Sequence, residues 1–202
     1  MIDLTPQPDT VSDRIRLPFT FDVEKMRAEI EALSLEDYNY YNVLMLRAPA
    51  HEVDPSLPEP PPADDYADGS WCDWLDTPQL AKCPYLQSVI KTFSDHTTVN
   101  LVRVLRLSPG SVVQKHTDPT LGIQIPKAMI RLTVPIWSGD DVKFYLNGDI
   151  VEMKEGECWY LRLTDQHKVV NAGETDRVNL TIDMIPNDWV KDLVFSHDAV
   201  AE

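Results

Sequence analysis

The chain has 202 residues, enough to enclose one substantial core. Its 33 acidic and 18 basic side chains give a net charge of −15, which argues against nucleic acid or an anionic membrane as a partner, since both call for basic surface. Three cysteines, Cys72, Cys83 and Cys158, with no CxxC spacing, support neither a disulfide framework nor a zinc knuckle and predict reduced thiols in a cytoplasmic protein. The first residues lack a basic and then an apolar region, so no signal peptide is expected, and no apolar run approaches membrane-spanning length.

Residues 1–20 read as a lead-in rich in turn residues, with a possible short edge strand at Leu17 to Phe21. Asp22 is a plausible N-cap for a helix through Ser34, with Val23, Met26, Ile30 and Leu33 on one face. Asn42 to Arg47 reads as a strand. From Ala48 to Gly69 prolines and acids accumulate, which predicts an exposed loop; a lid and a mobile insertion both stay open. Thr77-Pro78 opens a helix that Pro84 interrupts and restarts, with Leu86, Val89, Ile90 and Phe93 as its apolar face through about residue 94.

From Thr98 the pattern turns to strands. Eight are predicted, at 98–107, 111–116, 129–137, 142–146, 149–153, 157–163, 167–171 and 177–185. Turn signals separate them, the strongest being the two-residue hairpin Asn147-Gly148. Eight short strands with regular turns predict a sandwich or barrel. A short helical stretch near Trp189 to Phe195 precedes a polar end.

His116 and Asp118 stand two residues apart at the end of the second of these strands, and such residues point to one side of an extended segment. With His167, which opens the seventh, they would make a two-His-one-carboxylate set. That set leaves open positions on an octahedral metal and suits non-haem Fe(II). Arg177 opens the eighth strand and could meet the far carboxylate of a bound 2-oxo acid with a planar, permanently charged fork. A lone HxD is a weak signal; the order HxD, His, Arg along strands is a stronger one. Arg131 lies on an apolar strand, where an unpaired guanidinium is costly: either it points outward or an anion comes to it. His51, His96 and His197 have no motif partners and read as surface or loop residues. Asp183 reads as a structural acid at the barrel rim.

The words Arg103 to Gly110 leading to His116-Thr117-Asp118, Arg131 to Ile136, Val142 to Gly148, Gly156 to Leu161, His167 to Asn171 and Arg177 to Asp183 resemble the aspartyl/asparaginyl β-hydroxylase family of Fe(II)/2-oxoglutarate oxygenases. The resemblance covers 98–186 and reaches weakly back to the first helix and Cys83-Pro84-Tyr85. It implies a mainly β fold, a double-stranded β-helix (jelly-roll, cupin-like) with flanking N-terminal helices. One domain is expected over 1–202: support with the acidic loop over 1–97, the β-helix core over 98–186 and a tail over 187–202. It further implies that His116, Asp118 and His167 hold Fe(II) and that Arg177 holds the C5 carboxylate of 2-oxoglutarate. Arg131 stands where family members carry an arginine that meets a carboxylate of cosubstrate or substrate. The expected reaction uses O2 and 2-oxoglutarate to hydroxylate an unactivated C–H of an amino acid, free or peptidyl, releasing succinate and CO2. The alternatives are a non-catalytic cupin-like binding module and a structural protein whose acidic loop binds a basic partner.

Overall fold

The computed structural model describes residues 11–33, 42–60 and 69–198. In chain order these are β1 (Arg14–Thr20), α1 (Val23–Glu31), β2 (Val43–Pro49), α2 (Ala50–Val53), β3 (Trp74–Asp76), a 3-10 turn (Leu80–Lys82), α3 (Pro84–Ser94), β4 (Val99–Leu107), β5 (Val112–His116), β6 (Ile130–Trp137), β7 (Val142–Leu146), β8 (Asp149–Val151), β9 (Glu157–Leu161), β10 (His167–Asn171), β11 (Arg177–Met184) and α4 (Asp188–Asp198). The strands form two antiparallel sheets, a seven-stranded one in the order β1-β9-β6-β11-β4-β2-β3 and a four-stranded one in the order β5-β10-β7-β8. The fold is the mainly β double-stranded β-helix, with helices packed outside it.

Side-chain alternation explains the layering. Along β11, Val178, Leu180, Ile182 and Met184 join the large core beneath the helices. Their neighbours Arg177, Asn179, Thr181 and Asp183 take the other face, and all eight are buried. A strand covered on both sides usually reads as a continuous apolar run. Here one covered face is polar, because it fronts a cavity between the sheets. The second, smaller core, around Phe144, Leu146, Leu161, Leu163 and Val169, closes the space that remains.

The helices are held by specific ends. Asp22 accepts a hydrogen bond from the Lys25 amide (3.1 Å) and caps α1. Glu29 of α1 accepts from the amides of Tyr85 (2.6 Å) and Leu86 (2.9 Å), so one helix satisfies the free donors at the start of the next. Leu86, Val89, Ile90 and Phe93 are buried as their spacing predicts. Asn147 and Gly148 have φ of 55° and 96°, the left-handed pair that a tight hairpin between β7 and β8 needs.

Two expectations need correction. The edge strand expected at Leu17 to Phe21 is present but begins earlier: β1 runs from Arg14 to Thr20 and pairs with β9 at the edge of the large sheet. The stretch from Ala48 is not loop at its start: Ala48 and Pro49 continue β2 and pair with Leu75 and Trp74 of β3, which composition did not reveal. Ala48 and Ala50 are buried, and burial of small apolar residues overrode the prolines and acids around them. Residues 54–59 are exposed as predicted, and 61–68 lie outside the described residues. Trp74 donates through Nε1 to the Gly69 carbonyl (2.8 Å) and meets Trp71 edge-on, anchoring the far end. No described helix is long and apolar enough to cross a membrane.

Candidate metal centre and cavity

His116 ends β5, and His167 begins β10 directly opposite it in the small sheet. The two imidazoles therefore come from paired strands of one sheet, not from facing sheets. A register shift just after His167 breaks the regular ladder there, a device that re-aims a side chain. The ring centroids stand 4.2 Å apart. Asp118 follows the strand, pinned by its amide to the Leu163 carbonyl (2.8 Å). Its Oδ1 is 3.8 Å from His116 Nε2 and its Oδ2 is 4.0 Å from His167 Nε2. One ligand atom from each of the three residues lies within 4.8 Å of the others.

The histidines are set for coordination. His116 Nδ1 lies 2.7 Å from the Gln114 carbonyl and His167 Nδ1 lies 2.9 Å from the Asp165 carbonyl. A carbonyl only accepts, so each Nδ1 carries the proton and each Nε2 presents its lone pair. Burial pushes the His167 pKa below its ordinary 6.5; His116 adds to this, and the Asp165 carbonyl and Asp118 oppose it. The ring is 5% exposed and stacks on Phe144. Because the folded chain resists this proton, the unfolded chain takes it up first as pH falls. The metal-free protein should keep its full stability above about pH 6.5 and lose some as pH drops below it. Thermal denaturation of metal-free wild type and His167→Gln across pH 5 to 8 checks this: the wild-type curve should fall more steeply on the acid side.

The seven-stranded sheet supplies the opposite wall. A cavity of about 310 Å³ is lined by the three residues above and by Arg131, Arg177, Thr133, Asn179 and Thr181 of that sheet. The rest of its wall is largely apolar, including Leu105, Leu107, Val113, Leu163 and Val169. Arg177 is 7% exposed, and burial alone pulls its pKa down to about 10. It remains charged at neutral pH, yet its side chain has no carboxylate within ion-pair distance among the described residues. An uncompensated buried charge of this kind is expensive unless a ligand completes it.

Arg131 differs. Its Nε and Nη2 each donate to Asp183 at 2.7 Å, and its Nη1 is 3.4 Å from Asp118 Oδ2. Burial disfavours its charge, but Asp183 and Asp118 outweigh that and hold it above its ordinary value. The anion that an arginine on this strand requires is thus supplied by β11, where Asp183 pairs with Arg131 in register. Asp183 is more than a rim acid: it is 1% exposed and fixes the guanidinium beside Asp118. Asp183→Asn would leave that guanidinium half-paired in the interior. It should cost about 3–5 kcal/mol of stability, a fall in Tm on the order of 10 °C for a chain of this size, measurable by differential scanning calorimetry. Sequence reasoning passed over Asn179 and Thr181, although the polar member at every second position of β11 was a usable signal.

Residues 70–186 match the model of the aspartyl/asparaginyl beta-hydroxylase family, more than half of the chain. The chain belongs to that family. L-proline cis-3-hydroxylase 2 of a Streptomyces species is 26% identical over 110 residues, which make up 53% of this chain and 37% of that relative. The chain therefore matches well under half of the relative's length. Among solved structures, a 2OG-Fe(II) oxygenase family oxidoreductase of Burkholderia pseudomallei superposes with a TM-score of 0.53 at 13% identity, over 87% of this chain and 85% of the other. The viral collagen prolyl hydroxylase of Paramecium Bursaria Chlorella virus-1 gives 0.53 at 10% identity, over 91% and 100%. At these identities the likeness is one of fold. The family member described here places His116, Asp118, His167, Arg131 and Arg177 around one cavity. His51, His96 and His197 lie elsewhere, on α2, after α3 and in α4.

Proposed function

We propose that the protein is an Fe(II)- and 2-oxoglutarate-dependent dioxygenase that hydroxylates an unactivated C–H of an amino acid or an amino-acid-derived substrate. The observation that carries this reading is a pair: an open two-His-one-carboxylate set, and a buried arginine without a counter-ion among the described residues, lining the same cavity. The family membership and the names of the relatives support it. A structural zinc site would close with a fourth protein ligand; among the described residues only three gather.

His116, Asp118 and His167 would hold the iron. Bound together there, ferrous iron and 2-oxoglutarate supply O2 activation and hydrogen removal from carbon, one oxygen atom reaching the substrate and the other leaving in succinate, with CO2 released. The chain's own part is binding, orientation and exclusion. Arg177 pairs with the far carboxylate of the 2-oxo acid in a site dry enough to make that pairing strong. Leu105, Leu107, Val113 and Val169 keep water from the reacting carbon. The Asp183–Arg131 pair steadies Asp118, as groups behind metal ligands do. The Gln114 and Asp165 carbonyls hold both imidazoles in the ligating tautomer.

The test uses the protein with Fe(II) and 2-oxoglutarate without oxygen. A weak visible charge-transfer band is expected, and admitting O2 with a suitable amino acid should release succinate in proportion to hydroxylated product. Iron binding with no band and no succinate would instead favour the cupin-like binding module. The unpaired Arg177 disfavours that module, which has no use for a buried cation facing the metal.

A further inference from the structure

A second guanidinium near the metal site is also short of a partner. Arg103 stands in β4 opposite Thr181 of β11 and Met45 of β2. It lies two positions before the cavity residue Leu105, so it points to the same side of the sheet. Asp183, the nearest carboxylate, gives both oxygens to Arg131 and leaves Arg103 Nη2 at 4.0 Å. The Arg103 side chain donates no hydrogen bond among the described residues, and its Nε is sealed from solvent without an acceptor. Burial, with Arg131 adjacent, works against its charge. Folding has brought two cations to one carboxylate, and the second is left waiting.

Charge counting agrees. Among the described residues, Arg103, Arg131 and Arg177 stand against Asp118 and Asp183 around the site, while Arg106 at the wall is balanced by Asp176. That leaves one positive charge. Ferrous iron adds two, and the two carboxylates of 2-oxoglutarate remove two. One positive charge therefore persists in the loaded site, and a single carboxylate would neutralise it. At about 310 Å³ the cavity is near the small end of ligand sites, so beside 2-oxoglutarate it has room for little more than one amino acid.

We infer that Arg103 binds a carboxylate of the amino-acid substrate, so that the enzyme selects a carboxylate-bearing amino acid over its amide or ester. This rests on the hydroxylase reading above. The carboxylate has two sources, the α-carboxylate of a free amino acid or the side chain of an aspartyl residue, and the probes separate them.

The experiment loads wild type, Arg103→Met and Arg103→Lys with Fe(II) and 2-oxoglutarate without oxygen. Binding is followed by the perturbation of the charge-transfer band. Probes are the free L-amino acids, L-proline among them, each paired with its carboxamide, and N-acetyl-aspartyl amide for the side-chain source. In wild type at least one carboxylate probe should bind roughly 30-fold or more tightly than its carboxamide. Arg103→Met should erase that preference by weakening the acid alone, and Arg103→Lys should restore part of it. Equal binding of acid and amide by wild type overturns the inference, and this outcome needs no variant to fold. So does an acid preference that survives in Arg103→Met, or binding by no carboxylate probe at all. A wild-type protein with no band for iron and 2-oxoglutarate sinks the hydroxylase reading and this inference together; a band with no acid preference sinks only this one.

Discussion

His167→Ala should abolish Fe(II)-dependent 2-oxoglutarate binding and lower succinate release by more than about 100-fold, since even changes behind a metal ligand cost about 10- to 100-fold. His167 is the buried member of the three, 5% exposed against an exposed His116. Its ring is fixed on both sides, by the Asp165 carbonyl at Nδ1 and by the face of Phe144. No described histidine, cysteine or acid stands ready to replace it, because only Asp118 and His116 share the cluster. The loss should appear as a missing charge-transfer band and not merely as a slower rate. Truncation also opens a void between Phe144 and the opposite strand, so the folded state of the variant has to be confirmed by its thermal transition. His96→Ala is the control: His96 stacks on Trp189, away from the cavity, and its loss should leave the band in place. A His167→Ala protein that binds iron and 2-oxoglutarate like wild type would remove this residue from the metal site.

Arg177→Met should act in two opposite directions at once. The dissociation constant for 2-oxoglutarate should rise roughly 30-fold to several thousand-fold, because removing one partner of a buried hydrogen-bonded charge pair costs about 2–5 kcal/mol and each 1.4 kcal/mol is about tenfold. The metal-free protein should meanwhile hold or gain stability, by on the order of 1 kcal/mol. In the absence of a ligand the guanidinium is a buried charge with no described carboxylate to neutralise it, and methionine fills similar space without that penalty. A structural arginine would do the reverse, losing stability and sparing the cosubstrate. Calorimetric unfolding of the metal-free variant, together with a 2-oxoglutarate titration of the iron-loaded one, separates the two. Arg131 and Asp183 provide the contrast, since that pair is complete within the protein and its disruption costs stability.

Much of this was legible in the chain itself. Alternation in Arg177-Val178-Asn179-Leu180-Thr181-Ile182-Asp183-Met184 shows a strand with one apolar and one polar face, and local geometry sends successive side chains to opposite sides without help from the rest of the fold. Asn147-Gly148 dictates its own hairpin because its two residues tolerate positive φ. The two-residue spacing of His116 and Asp118 puts imidazole and carboxylate at one strand end. Asp22 caps its helix from within four residues. These features share short range: the atoms that decide them are neighbours along the chain.

Other features arise only when distant segments meet. His116 faces His167 because β5 and β10 pair in that register, and no pattern within either strand states the register of the other. Glu29 caps a helix that begins beyond residues 48–69. Ala48 is buried among prolines and acids because β3 comes to lie beside it. The most consequential case is electrostatic. Three arginines look alike in the sequence, but folding gives Asp183 to one of them, leaves Arg103 at 4.0 Å from the same carboxylate and buries Arg177 with none among the described residues. Residue identity determined which charges the chain carries. Only the packing of one sheet against another decided which were neutralised and which were left to recruit a ligand, because Coulomb energy depends on separation and burial, and neither is a property of the linear chain.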